Sequence, residues 1–576
     1  MEDGKGPGIS RRAMIAGTGM AGAFAASASQ GFAQSTAEPS PAFDMETDVV
    51  VCGGGAGGLA SAVLCRSQDH EVVLLEKAGS LGGTAAKAAF WYWVPNNPAM
   101  KAGNIADPRQ GFLQYVARLS SPDIYDPSSP TLGLDQWQYD MCAALYDSGA
   151  DAVEALAGQA DLPFRHVAGA PDYWAELAEN KASLGRVLVP EGTNATLSDG
   201  GRVAIRNMTA AARRKGVRIA TSHRVERLIR DGEGRVIGVE ASRFDDSKVR
   251  IRARKAVIFA TGGFTHNAAM RASHLRLPIQ GGCAAPTNEG DILNILADAG
   301  VQLLNMKNAW AAPASLDKIA AGDGALIDTF KMGGDSMLIV NKYGHRVVDE
   351  KLPYNELAEI FGAWDAVRGE HPNLCLFSIW DERAQRKCAS AEFGNLIVPE
   401  GTDNRHVIKG QTLEELASGI AARLASFRTT VSTQLDANFT AGLKASIDRF
   451  NALAVAGKDS DFGRGERIIS KFFNGPALEA NQPNATMWPL ADTGPYYAAL
   501  IVAASLDTKG GPKTDVDGKI LDLQDKPIPG LYGVGNCVAS CSGSAYWAGG
   551  ATIGPILTFA YRAAQAISRE NKAIPA

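Results

Sequence analysis

The chain has 576 residues, with 57 basic and 62 acidic side chains and a net charge of −5. Hydrophobic residues make up 45% and charged residues 21%, a globular balance that excludes wholesale disorder and collagen-like repeats. The mild acidity carries no electrostatic footprint for nucleic acid, and eight cysteines in so long a chain are no disulfide framework.

Residues 1–33 read as a signal peptide. Ser10-Arg11-Arg12 opens it with paired arginines, a weakly apolar run follows from Met14 to Ala26, and Gly31-Phe32-Ala33 offers a small-residue cleavage site. The bland alternative is a flexible basic tail. The run is too short and too rich in Gly and Ala to span a membrane, and no other stretch is apolar enough, so no integral span is expected in the mature chain. Twin-arginine export carries folded protein, which makes the periplasm the expected location and the cytoplasm the alternative. Residues 34–46, with Ser35 to Pro41 at their start, read as a linker.

Thr47 to Cys52 is a short apolar β run. It feeds Gly53-Gly54-Gly55-Ala56-Gly57-Gly58, then a small-residue helix through Cys65, then a second β run, Val72 to Leu75, ending at Glu76. Strand, glycine loop, helix, strand and acid in this order make a dinucleotide-binding βαβ unit. Gly53 makes the turn, Gly55 lets the backbone approach a pyrophosphate, and Gly58 lets helix and strand pack closely. The helix N-terminus offers N–H donors to phosphate, and Glu76 accepts from ribose hydroxyls.

Further on, Asp135 to Leu156 and Gly201 to Lys215 are helical by apolar spacing. Val217 to Ala220 starts a strand, and Val225 to Ile251 looks like β-ribbon with turn residues at Asp231 to Gly234. Lys255 to Ala260 is an apolar strand ending in Thr261-Gly262-Gly263-Phe264. Gly530 to Asn536 is again a strand entering a glycine turn, and Ile553 to Ile567 is a closing helix. The predicted class is α/β. A Rossmann-like dinucleotide domain is split between residues 47–314 and 506–576, and an α+β substrate (capping) domain is inserted at 315–505. Cys537 and Cys541 form neither a haem nor a zinc pattern, and no metal is expected. His266 reads as a loop residue. Trp91, Tyr92 and Trp93 fit either a cleft lining or a half-buried aromatic strand.

Several motifs together resemble the flavin-binding pattern of the fumarate reductase/succinate dehydrogenase flavoprotein superfamily. They are Glu76-Lys77 followed by Gly82-Gly83-Thr84-Ala85, Ala260-Thr261-Gly262-Gly263, Asn288-Glu289-Gly290-Asp291, and Gly530 to Asn536 with its Gly535-Asn536 turn. The likeness runs from about Thr47 to Ala566. It implies FAD, with substrate held between the two domains. Within the superfamily, Phe90 to Asn97, Asp459 to Gly465 and Thr508-Lys509-Gly510-Gly511 are similar to stretches of the 3-ketosteroid Δ1-dehydrogenases. So is Tyr546-Trp547-Ala548-Gly549-Gly550-Ala551-Thr552-Ile553. In that branch this last block carries a ketone-binding tyrosine and a glycine N–H, here Tyr546 and Gly550. Thr552 and Ile553 would open the helix facing the flavin. Leu352 to Glu356 resembles the segment carrying the catalytic base, here Tyr354. Pro171 to Trp174 resembles the one whose tyrosine supports that base, here Tyr173, although a packed tyrosine is an equal reading of Tyr173 taken alone.

Where fumarate reductases place two arginines to grip a dicarboxylate, this chain has Tyr354 and Tyr546. A phenol donates one hydrogen bond to a ketone, so the exchange points to a neutral carbonyl substrate. The implied activity is FAD-dependent desaturation of the carbon–carbon bond α,β to the ketone of a cyclic substrate, foremost 3-ketosteroid 1-dehydrogenation, with an external electron acceptor. The alternative is a fumarate- or urocanate-type reductase. Phe90-Trp91-Tyr92 stand where the branch has small glycines, and their bulk is expected to narrow the cleft.

Overall fold

Val49, Val50 and Val51 are buried on both sides of their strand, the pattern of a central parallel strand covered on two faces. A computed structural model describes residues 42–322, 332–391 and 395–570. The signal-peptide segment and the first part of the linker lie outside the described residues. The first strand, Met45–Cys52, opens two residues earlier than the apolar pattern suggests, because Met45 and Glu46 pair with Ile251 and Arg252. It lies between the strands Val72–Leu75 and Lys248–Phe259, parallel to both. Arg218–Ala220 extends the sheet beyond Val72–Leu75, and Pro527–Gly533 extends it beyond Lys248–Phe259, again in parallel. The ribbon His223–Arg230 and Val236–Arg243 runs antiparallel off Lys248–Phe259.

One face of this sheet packs on the helix Ala56–Arg66, which is buried except at Arg66, and on the closing helix Ile553–Arg569. The helix Gln136–Gln159 starts one residue after Asp135, whose side chain accepts the Gln138 N–H at 2.8 Å and caps it.

A second, antiparallel sheet has the order Ala309–Ser315, Tyr496–Thr508, Leu376–Asp381, Met337–Val340, with Ile408–Gly410 also on Tyr496–Thr508. Helices Leu413–Ser426 and Phe439–Ala456 cover one face, and the short helix Tyr354–Glu359 lies over the other. Tyr496–Thr508 is buried along nearly its whole length, and its last residues reach the glycine loops of the first sheet. Among the described residues, no helix is long and apolar enough to cross a membrane.

Candidate active site

The glycine loop closes where it must and opens where a ligand would lie. Gly53 has φ +106°, and a Cβ there would meet the Ala260 carbonyl oxygen at 2.4 Å. A Cβ on Gly58 would sit 1.8 Å from the Gly53 carbonyl oxygen. At Gly55 the nearest atom to such a Cβ is 3.9 Å away, so the backbone at the helix N-terminus faces open space. Glu76 receives the N–H groups of Gly54 at 2.6 Å and Ala78 at 2.7 Å, one on each oxygen. Further acceptor positions remain for a diol. Lys77 bridges Glu289 and Asp291 at 2.8 and 2.7 Å, and Asp291 also takes Arg224 at 2.8 Å.

A cleft of about 520 Å³ runs from these groups to the second sheet. Its lining takes in Gly53, Gly55, Gly57, Glu76, Lys77, Gly83, Thr84, Ala85, Thr261, Gly262, Asp291, Gly535, Asn536, Thr552 and Ile553 at the nucleotide side. Tyr173, Tyr354, Tyr546 and Gly550 line the other. Three of the sequence-predicted residues stand one layer behind. Gly58 packs the helix on the strand, Gly82 donates its N–H to the Gly54 carbonyl at 2.9 Å, and Gly263 donates to Asp507 at 3.0 Å. The open loop, the acid and the size of the cleft fit a bound dinucleotide.

Asp507 was not singled out by the sequence. It is the last residue but one of the buried strand Tyr496–Thr508, and its oxygens also accept from Asn288 at 2.8 Å, Asn536 at 3.2 Å and Thr265 at 3.2 Å. The one available signal was an acid closing an apolar run. Asn288 also donates to the Thr84 hydroxyl at 3.3 Å, so one carboxylate gathers the loops around residues 84, 263, 288 and 536.

The three tyrosines come from three distant segments. Their ring centres are 5.7 Å apart for Tyr173–Tyr354, 5.5 Å for Tyr173–Tyr546 and 5.2 Å for Tyr354–Tyr546. Tyr173 donates its hydroxyl to the Tyr354 oxygen at 2.7 Å. Thr552 donates to the Tyr546 oxygen at 3.2 Å. Burial pushes the Tyr173 and Tyr354 hydroxyls well above the ordinary phenol value. Burial also raises Tyr546, where the hydrogen bonds from Thr552 and Tyr354 pull the other way. Gly550 has φ +94°, and a Cβ there would lie 2.7 Å from the Trp91 carbonyl carbon, so no other residue fits.

Two of the tyrosines, Tyr173 and Tyr354, are braced from behind. Asp172, next to Tyr173, is buried against Arg186 and takes Trp93 Nε1 at 2.7 Å, while Arg186 also holds Asp107 at 2.7 Å. Glu350, four residues before Tyr354, binds Arg346 at 2.8 Å and Arg464 at 3.0 Å, and Arg346 binds Asp459 at 2.7 Å. The segment Asp459 to Gly465 therefore supports the chain leading to Tyr354 from inside the second sheet rather than touching the cleft. Trp91 lines the cleft, whereas Tyr92–Trp93 form a short buried strand, so both readings of that aromatic run apply. Cys537 and Cys541 are buried, and His266 bonds the Ala284 carbonyl at 2.9 Å. Among the described residues no group of His, Cys, Asp and Glu is arranged to hold a metal.

Residues 48–553 match the FAD binding domain family. The chain is 30% identical over 574 residues to 4-oxocyclohexanecarboxylate 2-dehydrogenase of Sinomonas cyclohexanicum, covering 90% of this chain and 92% of that one. It is 28% identical to 3-oxosteroid 1-dehydrogenase of Mycolicibacterium smegmatis, covering 90% and 96%. In fold it is similar to the 3-ketosteroid delta1-dehydrogenase from Sterolibacterium denitrificans, with TM-score 0.77 and 24% identity over 91% of this chain and 100% of that one. Glycine cradle, acid, and the length over which these likenesses hold lead to one statement: the chain belongs to the FAD binding domain family and is an FAD-dependent oxidoreductase acting on CH–CH groups.

Proposed function

We propose that the protein desaturates the carbon–carbon bond α,β to the ketone of a cyclic substrate. The observation that carries this is the Tyr173–Tyr354 hydroxyl contact of 2.7 Å beside Tyr546. The relatives above are named for cyclic ketones. Among the described residues the only arginine lining the cleft is Arg224, which is paired with Asp291. A dicarboxylate would find no arginine fork at the tyrosines, which weighs against a fumarate-type reductase.

Removing a proton from the α-carbon builds charge on the ketone oxygen. Tyr546 O–H and Gly550 N–H are the groups to receive it, and a preorganised pair of this kind is worth most in a site shut off from water. Tyr354 is the proton acceptor, and Tyr173 donates to its oxygen at 2.7 Å and holds it in place. When bound, FAD supplies the hydride acceptor, held by the glycine loop, Glu76 and the residue 535–536 turn. An external electron acceptor is the implied second partner.

Trp91 favours a single-ring ketone over a steroid. Its indole N–H donates to the Leu197 carbonyl at 3.1 Å, fixing the side chain between Gly549 and the 195–198 loop on the cleft wall.

The test is anaerobic mixing of the flavin-loaded enzyme with 4-oxocyclohexanecarboxylate and, separately, with a 3-keto-4-ene steroid, followed by flavin absorbance. Bleaching by the single-ring ketone is expected. Tyr354→Phe should slow it by about 10²–10⁴-fold with FAD retained, and Tyr173→Phe should slow it less. Bleaching of Tyr354→Phe at the wild-type rate would remove the base assignment. No bleaching by either ketone would remove the reading.

A further inference from the structure

Lys509 is fully buried behind the tyrosine wall and does not line the cleft. Its Nζ donates to the Ala545 carbonyl at 2.6 Å, with the Gly543 carbonyl at 3.4 Å. Ala545 immediately precedes Tyr546. The same Nζ lies 4.0 Å from the centre of the Trp310 ring, and Trp310 meets Tyr546 edge to face at 4.9 Å. Trp310 Nε1 in turn donates to Asn536 Oδ1 at 3.1 Å, in the flavin-side turn. The ammonium thus holds Tyr546 twice, through its backbone and through the ring behind it.

Its charge has no carboxylate within ion-pair distance among the described residues. Glu356 and Glu359 on the nearby helix Tyr354–Glu359 favour the charge from a distance, but Glu359 is taken by both terminal guanidinium nitrogens of Arg276 at 2.5 Å, and Glu356 receives Trp174 Nε1 at 3.2 Å. Arg276 adds like charge, and the Cys541 thiol is the remaining ionisable group acting on Lys509. Burial lowers the Lys509 ammonium to about 7. A buried cation with no carboxylate beside it is costly, and negative charge arriving nearby favours its charged form.

We infer that Lys509 is a positioning residue for the reaction: it sets Tyr546 for the ketone oxygen and supplies the positive charge that matches the enolate. The inference rests on the ketone reading above. It differs from a packing role in one respect, because it acts on an anionic ligand more than on a neutral one.

The test uses the flavin-loaded enzyme and two ligands, 4-nitrophenol as an enolate mimic and cyclohexanone as the neutral ketone. Lys509→Met should weaken binding of the phenolate by roughly 10- to 100-fold, below the ~10²–10³-fold carried by a direct oxyanion donor. Cyclohexanone affinity should change by less than about 3-fold, and kcat should fall while KM holds. Lys509→Gln keeps an N–H for the Ala545 carbonyl without the charge, so it should fold and still lose phenolate preference. Equal weakening of both ligands in Lys509→Gln, or none, would overturn the inference. If the wild-type enzyme binds neither ligand, the ketone reading fails first.

Discussion

Burial holds the Tyr354 hydroxyl well above the ordinary phenol value, and its neighbours Tyr173 and Tyr546 push the same way, so it keeps its proton through the ordinary pH range. Glu356, two residues on, is the group whose charge changes near neutrality. One of its oxygens takes Trp174 and the other is buried with no partner among the described residues, and burial pushes the carboxyl up to about 7. Between an unfolded value near 4.5 and the folded value, the folded chain keeps a proton that the unfolded chain has released. Glu356 therefore favours folding most below about pH 4.5 and loses that contribution as pH rises towards about 7. Over the whole window the change is on the order of 3 kcal/mol. Glu356→Gln cannot ionise, so its Tm should fall less than the wild type's between about pH 5 and 7. Asp172 and Asp349, both pushed up to about 6 by burial, add the same slope in both proteins and cancel in the comparison. Superimposable melting curves would show that Glu356 does not titrate in this range.

At the level of elements, the glycine loop makes the sharpest demand. A methyl group on Gly58 would overlap the Gly53 carbonyl, and overpacking of this kind costs about 1–3 kcal/mol. Gly58→Ala is expected to leave the second sheet folded and to lower the ratio of flavin to protein absorbance in the purified enzyme. A full flavin complement would contradict the packing role. The βαβ unit, the ribbon, the long helices and the glycine turns were legible because each writes a period or a turn into contiguous residues. Met45 and Glu46 looked like linker because only their pairing with Ile251 and Arg252 makes them strand. The resemblance found the segment Asp459 to Gly465 but not its work, since Arg346 and Glu350 lie more than a hundred residues away and spacing carries no trace of the contact. Asp507 was hidden for the same reason, and Lys509 was found only as part of the stretch Thr508 to Gly511, without its contacts. Their partners are loops that only the folded sheet brings together.

For the whole molecule, the order of assembly matters. Residues from both ends and the middle of the described chain line the cleft, from Cys52 to Ile556, so FAD binds a finished fold rather than a preformed half. We propose that the chain is exported already folded, by the twin arginines Arg11 and Arg12. Replacing both by lysine should leave flavin-loaded, active protein in the cytoplasmic fraction, and unchanged export would remove the signal while leaving the enzyme untouched. The strand Tyr496–Thr508 has a consequence for engineering. It pairs with three strands of the second sheet and then hands Asp507 to the flavin loops. The inserted domain is therefore no interchangeable cassette. A chimaera that swaps residues 309–508 for a foreign cap imports a stranger's carboxylate position into the cradle. One spliced before Ser505 instead must match a foreign strand to this register, residue for residue.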